Sequence, residues 1–295
     1  MDLVLQVNKI PAVGETVLGD DVRYSCGGKG ANQAFSIGRL GAMAEMLGCV
    51  GRDGFGDDLV NNLSSIGVKV DGIGRMVGQK TGMAVINVEK SGNNNIVVIP
   101  GANKCCDEAY LRANDDAFKR CDYILLQMEI PTEAVWYAVN RGKELGKTVI
   151  LNPAPAPDSL PGDIPGKLDY IIPNETELVR LSGCKDDSVN EIREGTQKLI
   201  TSGIKSVIVT LGSKGSMLAT KGYIEVFPPI PVKAVDTTAA GDCFCAAFTV
   251  ALANGKNSAE AISFANIAAG LAVTRPGAQD SVPDMAQIEA YNQRP

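Results

Sequence analysis

The 295-residue chain contains no histidine. That absence removes Ser-His-Asp and Cys-His catalysis, the histidine-bearing zinc protease motifs and a histidine general base. Any proton transfer falls to Asp, Glu, Lys, Tyr or Cys. No apolar run approaches the length of a membrane span, and the first residues do not form a signal peptide, so no membrane partner is expected. Positive charge is in deficit: 28 Lys and Arg against 34 Asp and Glu leave a net charge of −6. Such a chain has no basic patch for nucleic acid, and a phosphorylated ligand would need local positive groups. Eight cysteines are too sparse for a disulfide scaffold, and Cys105-Cys106 and Cys243-x-Cys245 do not make paired CxxC clusters. They read as reduced core thiols of a cytoplasmic protein, with zinc binding the weaker alternative.

What is present is an alternation of apolar runs with helical patterns. Residues 123–127, 148–151, 169–172 and 206–210 read as strands. Residues 132–145, a segment starting near Glu175, and 190–201 read as helices, and the last third is Ala-rich and helical at 241–254 and 258–272. Strands alternating with helices predict a mostly parallel sheet covered on both faces, a three-layer α/β/α sandwich. Residues 3–26 and 81–100 break the pattern because no helix intervenes. The second reads as a hairpin around Ser91-Gly-Asn-Asn-Asn95, where Gly and Asn tolerate positive φ. A small antiparallel flap beside an α/β domain is suited to be a lid that excludes water.

Four motifs stand at positions where such a fold places ligands. Asp236-Thr-Thr-Ala-Ala-Gly-Asp242 directly precedes an apolar helix. Its small residues let a ligand approach the backbone, and the unpaired amides of a helix start favour an anion. Asp242 there can take a proton from an incoming hydroxyl, although an acidic first-turn residue is also ordinary helix chemistry. Gly27-Gly-Lys-Gly-Ala-Asn-Gln33 opens a helix running to about Leu40 and can bring Lys29, Asn32 and backbone amides to a polyol; a plain Gly-rich turn is the alternative. Pro173-Asn-Glu-Thr-Glu177 follows an apolar strand, where Asn174 and Glu177 could hold Mg²⁺ through water or simply start a helix. Leu211-Gly-Ser-Lys-Gly215 ends another strand and suits a nucleotide, but it is not a P-loop. Glu129 is a lone carboxylate just past a strand.

In this order the motifs resemble those of the ribokinase-type, phosphofructokinase-B-like carbohydrate kinases. Gly101-Ala-Asn103, Gln127-Met-Glu129, Asn152-Pro-Ala-Pro-Ala156 and Thr274-Arg-Pro-Gly-Ala-Gln279 extend the likeness from Asp2 to about Pro283. The resemblance implies an ATP-dependent kinase for the 5-hydroxyl of D-ribose, with a related sugar or nucleoside kinase (deoxyribose, for example) or a non-catalytic binding protein as alternatives. It implies Asp242 as base, with Ala240 and Gly241 supplying anion-hole amides. Sugar contacts carry over to Asp2, Gly27, Gly28, Asn32 and Glu129, with Lys29 in the same loop. Nucleotide contacts carry over to Asn174, Thr210, Gly212, Ser213, Gly215, Ala240, Gly241 and Asn266, and Glu177 to water-mediated Mg²⁺. A K⁺ site is implied at Asp236, Thr238, Ala272, Arg275, Gly277 and Ser281.

The implied division is an α/β domain of residues 26–78 and 104–295, with a β-sheet lid of 1–25 and 79–103 that pairs in a homodimer. The family pattern opens with a strand ending in Asn-x-Asp, and this sequence starts at Met1-Asp2, inside that motif. The resemblance therefore leads to the expectation that the first core strand and a sugar-binding Asn are missing, through a start assigned too far downstream.

Overall fold

A computed structural model of the chain describes residues 1–91 and 93–293. The strands are β1 (Asp2–Val7), β2 (Gly19–Ser25), β3 (Gly48–Gly51), β4 (Ile73–Met76), β5 (Met83–Glu89), β6 (Asn94–Ile99), β7 (Tyr123–Leu126), β8 (Thr148–Leu151), β9 (Tyr170–Ile171), β10 (Ser206–Thr210), β11 (Ser216–Thr220) and β12 (Tyr223–Phe227). The helices are α1 (Lys29–Arg39), α2 (Gly54–Ser65), α3 (Glu108–Ala113), α4 (Asp115–Arg120), α5 (Thr132–Glu144), α6 (Glu175–Ser182), α7 (Val189–Thr201), α8 (Ala240–Ala253), α9 (Ser258–Ala272) and α10 (Met285–Asn292).

Successive side chains of a strand leave on opposite faces, and here both faces are apolar. Ile150, Ile172, Ile208 and Leu218 enter one core with Phe35 of α1, Phe248 of α8 and Ile262 of α9. Their neighbours Val149, Leu151, Ile171, Val207, Val209 and Met217 enter a second core with Val139 of α5, Leu178 of α6 and Leu199 of α7. A sheet buried on both sides by helices is the three-layer arrangement that the near-continuous apolar runs predict. Its strand order is β12-β11-β10-β9-β8-β7, parallel from β7 through β10 and antiparallel at β11 and β12. Helix α8 is apolar all round and buried along most of its length, so it is a core helix rather than an amphipathic one.

A second sheet has the order β2-β1-β5-β6, with Asp2 opposite Ser25 on one side and Ala84 on the other. This small sheet is the lid-like part. Its outer strand exposes Ile96, Val97, Val98 and Ile99. A third, two-stranded parallel sheet joins β3 and β4. Cys49 of β3 shares a core with Ile124 of β7, yet β3 and β7 belong to separate sheets.

The expected strand at 169–172 is reduced to Tyr170–Ile171. The Asp169 carboxylate accepts the Val149 N–H at 2.9 Å and pairs with Lys143 and Lys205, which anchors the chain just before the ladder begins. The expected hairpin is β5–β6, though β6 begins at Asn94, two residues before its apolar run. Gly92 of the expected turn lies outside the described residues. The β11–β12 hairpin was not anticipated. It is entered through Gly215 at φ +91°, where a Cβ would sit 2.1 Å from the Phe227 carbonyl oxygen, so glycine is required twice over.

Candidate active site

The start of α8 is shaped by Ala239, whose φ of 57° is left-handed for a residue with a side chain. That conformation costs about 1–2 kcal/mol and is tolerated where the surroundings hold it. It turns the chain so that the first amides of α8 face outward. The Ala240 N–H donates to the Thr237 carbonyl at 3.3 Å, whereas the N–H groups of Gly241 and Asp242 have no acceptor among the described residues. An anion therefore finds free donors at Gly241 and Asp242, and has to compete for the donor of Ala240. A Cβ on Gly241 would meet nothing within 4 Å, so the approach is open.

Asp242 itself is buried. The Asn32 side chain donates to its Oδ2 at 2.9 Å and the Gln33 side chain to its Oδ1 at 3.0 Å. Burial pushes the carboxyl above the ordinary aspartate range, against the Lys29 charge and the two amide bonds. This is the environment of a carboxylate kept reactive by desolvation.

Helix α1 brings the glycine-rich loop to the same place. Gly28, at φ 94°, is its N-cap without any side-chain cap. The Lys29 N–H instead donates to Glu129 Oε2 at 2.8 Å, just beyond β7. A Cβ on Gly27 would overlap the Asp2 carboxylate at 2.0 Å, which places Asp2 directly over this loop. Asp2, Gly27, Gly28, Lys29, Asn32, Glu129 and Asp242 are thus gathered from four separate stretches of sequence. Burial raises Glu129, Asp2 and Glu177 in turn. The Lys29 charge opposes the shift at Glu129, Glu177 and Asp242, and Asp242 adds to it at Asp2, Glu129 and Glu177. Lys29 and the Met1 ammonium together face four carboxylates, a surplus of negative charge that suits a cationic or polyhydroxy partner.

Along the sheet, Asn174 and Glu177 form a reciprocal capping box at the start of α6. This spends Glu177 Oε2 on the Asn174 N–H at 2.9 Å and leaves Oε1 without a partner among the described residues. Asn174 bridges to Thr210, so the third and fourth motifs lie side by side. Gly212 and Ser213 are exposed in the short turn that follows β10, and Gly215 is buried behind them. Asn266 is buried with its amide committed to Ser216 Oγ at 3.1 Å and to the Pro228 carbonyl at 3.3 Å, so it shapes this wall of the site from behind.

Of the remaining expected cluster, Asp236, Thr238 and Gly277 are joined by hydrogen bonds. Asp236 accepts the Thr238 N–H and hydroxyl at 2.9 and 2.6 Å, and the Gly277 N–H at 2.9 Å. Burial opposes the ionised form, but these bonds hold the carboxyl below the ordinary range. Ala272 and Ser281 are buried, and the Arg275 side chain is turned away to Gln287 on α10, at 3.3 Å. Among the described residues there is no group of three or more His, Cys, Asp or Glu side chains placed to hold a metal. All eight cysteines are unpaired thiols.

Buried amides that stand in the motifs, but to which the sequence assigned no role, line the same place. Gln33, Asn152 and Gln279 are each less than a tenth exposed. The available signal was their position: Gln33 ends the glycine-rich motif, and Asn152 closes an apolar strand. A depression of about 880 Å³ lies elsewhere, over α3 and α5, beside Trp136 and Tyr137. Its cations are already paired, Arg112 with Glu108, Arg141 with Asp115, and Lys143 with Asp169.

Known proteins resemble this chain along nearly its whole length. The family profile described as pfkB family carbohydrate kinase matches residues 1–285. A deoxyribokinase of Salmonella typhi is 35% identical over 99% of this chain and 95% of its own. A ribokinase of Schizosaccharomyces pombe is 37% identical over 98% and 93%. The solved structure of Arabidopsis thaliana ribokinase complexed with ribose and ATP superposes with a TM-score of 0.93 at 33% identity, covering 100% of this chain and 96% of that one.

Proposed function

Because this chain belongs to the pfkB family of carbohydrate kinases, enzymes that move a phosphoryl group onto a sugar hydroxyl, we propose that it phosphorylates the 5-hydroxyl of D-ribose from ATP. The observation that carries this reading is the buried Asp242, fixed by Asn32 at 2.9 Å, at a helix start whose Gly241 and Asp242 amides are free.

In this reading the sugar lies between the Gly27–Gly28 loop, Asp2 and Glu129. Its acceptor hydroxyl points at Asp242, which removes the proton as the oxygen attacks phosphorus. The Gly241 and Asp242 amides, with Ala240 once its contact to Thr237 yields, take up charge on the transferring group. Thr210, Gly212, Ser213 and Gly215 face the nucleotide beside Asn174, and Asn266 backs the adenine wall. The four-stranded sheet of 1–25 and 79–103 acts as the lid on the α/β body of 26–78 and 104–295, excluding water as an acceptor.

The residues present fit the expected ions. Glu177 Oε1 is free to hold a hydrated Mg²⁺ through water. Mg²⁺ supplies charge neutralisation on the ATP phosphates. The Asp236, Thr238, Ala272, Arg275, Gly277 and Ser281 segments offer only oxygen donors, which suits K⁺, and Arg275 would serve through its carbonyl because its guanidinium is engaged elsewhere. Eight free thiols support a reducing, cytoplasmic setting. No helix among the described residues is long and apolar enough to cross a membrane. The exposed apolar strand β6 supports a homodimer formed lid to lid. In sedimentation, Val97→Asp should then convert a dimer to a monomer.

The specific rival is 2-deoxyribose, favoured by the likeness to the Salmonella typhi deoxyribokinase. A panel of sugars in a coupled ADP-release assay separates the two. D-Ribose should give the highest kcat/KM; a higher value for 2-deoxyribose would replace ribose as the substrate, and no sugar-dependent ADP release at all would end the reading.

A further inference from the structure

The carboxylate of Asp242 is gripped by two uncharged amides, and each amide is itself held from behind. Gln33 uses both of its N–H donors, one on Asp242 Oδ1 at 3.0 Å and one on Asn152 Oδ1 at 3.2 Å. Its own Oε1 accepts an N–H of Gln127. Asn152 in turn donates to the Ile172 carbonyl at 2.9 Å. On the other side, Asn32 Oδ1 accepts from Gln279 at 3.0 Å, and Gln279 Oε1 accepts from Asn62.

This arrangement fixes which way the Gln33 amide faces. Turned over, it would set its oxygen against both the Asp242 carboxylate and the Asn152 oxygen, and its NH₂ against the donor of Gln127. Gln127 and Asn152 lie just past the ends of β7 and β8, and Ile172 just past β9. The carboxyl edge of the parallel sheet therefore dictates the orientation of one residue on α1, and that residue dictates the orientation of Asp242. No Lys or Arg hydrogen-bonds Asp242 among the described residues, so these neutral donors hold its geometry without quenching its basicity by an ion pair. Each oxygen gives one lone pair to an amide and keeps another for a substrate hydroxyl.

We propose that Gln33, set by Asn152 and Gln127, is a positioning residue that orients Asp242 for proton abstraction. The proposal rests on the reading of Asp242 as the base. The groups facing Asp242 with charge or a titratable proton are Lys29, Asp2, Glu129, Glu177, Cys243 and Cys245. Gln33→Met touches none of them, and it fills the same space without a donor.

The experiment compares Gln33→Met, Gln127→Met and Asp242→Asn with the natural enzyme, measuring kcat, both KM values, the pH profile of kcat and the thermal midpoint. Losing one hydrogen bond to a charged group should lower kcat of Gln33→Met on the order of ten- to a hundredfold. Both KM values should stay within about threefold, because a group that acts on the transition state alters kcat rather than binding. The acid limb of the profile should move to higher pH, since a bond favouring the ionised carboxylate is gone. Gln127→Met, one bond further out, should move the limb the same way by less. A purely structural role would lower the thermal midpoint and leave kcat and its acid limb in place, which would overturn the proposal. Should Gln33→Met fail to fold, Gln127→Met decides alone: a shifted limb supports the proposal, an unchanged one overturns it. If Asp242→Asn turns over normally, the base assignment itself fails and the proposal falls with it. If Asp242→Asn is dead while the folded Gln variants behave as the natural enzyme, only the positioning role is wrong.

Discussion

The carboxylate of Glu129 accepts the backbone N–H of Lys29 at 2.8 Å, across 100 positions of sequence. One bond thus ties the end of β7 to the glycine-rich start of α1 and leaves Glu129 Oε1 without a hydrogen-bond partner among the described residues. If that oxygen grips a sugar hydroxyl, Glu129→Ala should raise the ribose KM by a factor equivalent to about 1.5–3 kcal/mol, the worth of a hydrogen bond to a charged group. The ATP KM should hardly move. An unchanged ribose KM in titrations of the variant would remove Glu129 from the sugar site.

The same residue gives a stability signature. Burial raises the Glu129 carboxyl above its ordinary value, so the fold disfavours its ionised form. The stability this group permits is fully present below the unfolded value of about 4.3 and is lost as pH rises through the raised folded value. Glu129→Gln removes the charge while its amide oxygen still accepts from Lys29. The ligand-free variant should therefore melt higher than the natural protein at pH 7, with the advantage fading toward pH 4. A midpoint difference that does not depend on pH would contradict the electrostatic account.

How much of this was visible before the structure depends on the range of the interaction. The strands at 148–151 and 206–210 were legible because short apolar runs bounded by turns have few alternatives, and the helix at 258–272 because its pattern is long. Asp242 was legible because a run of small residues before an apolar helix is a local signal. The roles of Gln33, Asn152, Gln127 and Gln279 were not, although each residue stands in one of the motifs. The side chains that give them a place in the site lie 94 to 247 positions away, and an amide on the face of α1, or just past β7 or β8, reads equally well as surface. Nothing local marks Gly215 as the entry to the β11–β12 hairpin, because the clash that demands glycine comes from Phe227. The engagement of Ala240 with Thr237 likewise follows from the left-handed turn at Ala239, which alanine does not advertise.

The oxygen-lined segments joined by Asp236 and Gly277 give a prediction for monovalent cations. With Mg²⁺ and ionic strength held constant, K⁺ should raise kcat above that in tetramethylammonium. It should also raise the thermal midpoint of the free protein, because an ion bound only by the folded state stabilises it. Asp236→Asn, which weakens the tie to the Gly277 N–H, should lose the thermal effect. Equal midpoints in both salts for the natural protein would rule out a K⁺ site.

The most direct measurement is the turnover of Asp242→Asn with D-ribose and ATP, alongside ATP binding by the same variant. Asparagine keeps the shape of the side chain and cannot act as the base. The account predicts that kcat falls by at least ~10²–10⁴-fold while ATP still binds with near-natural affinity. Near-normal turnover of Asp242→Asn would contradict it.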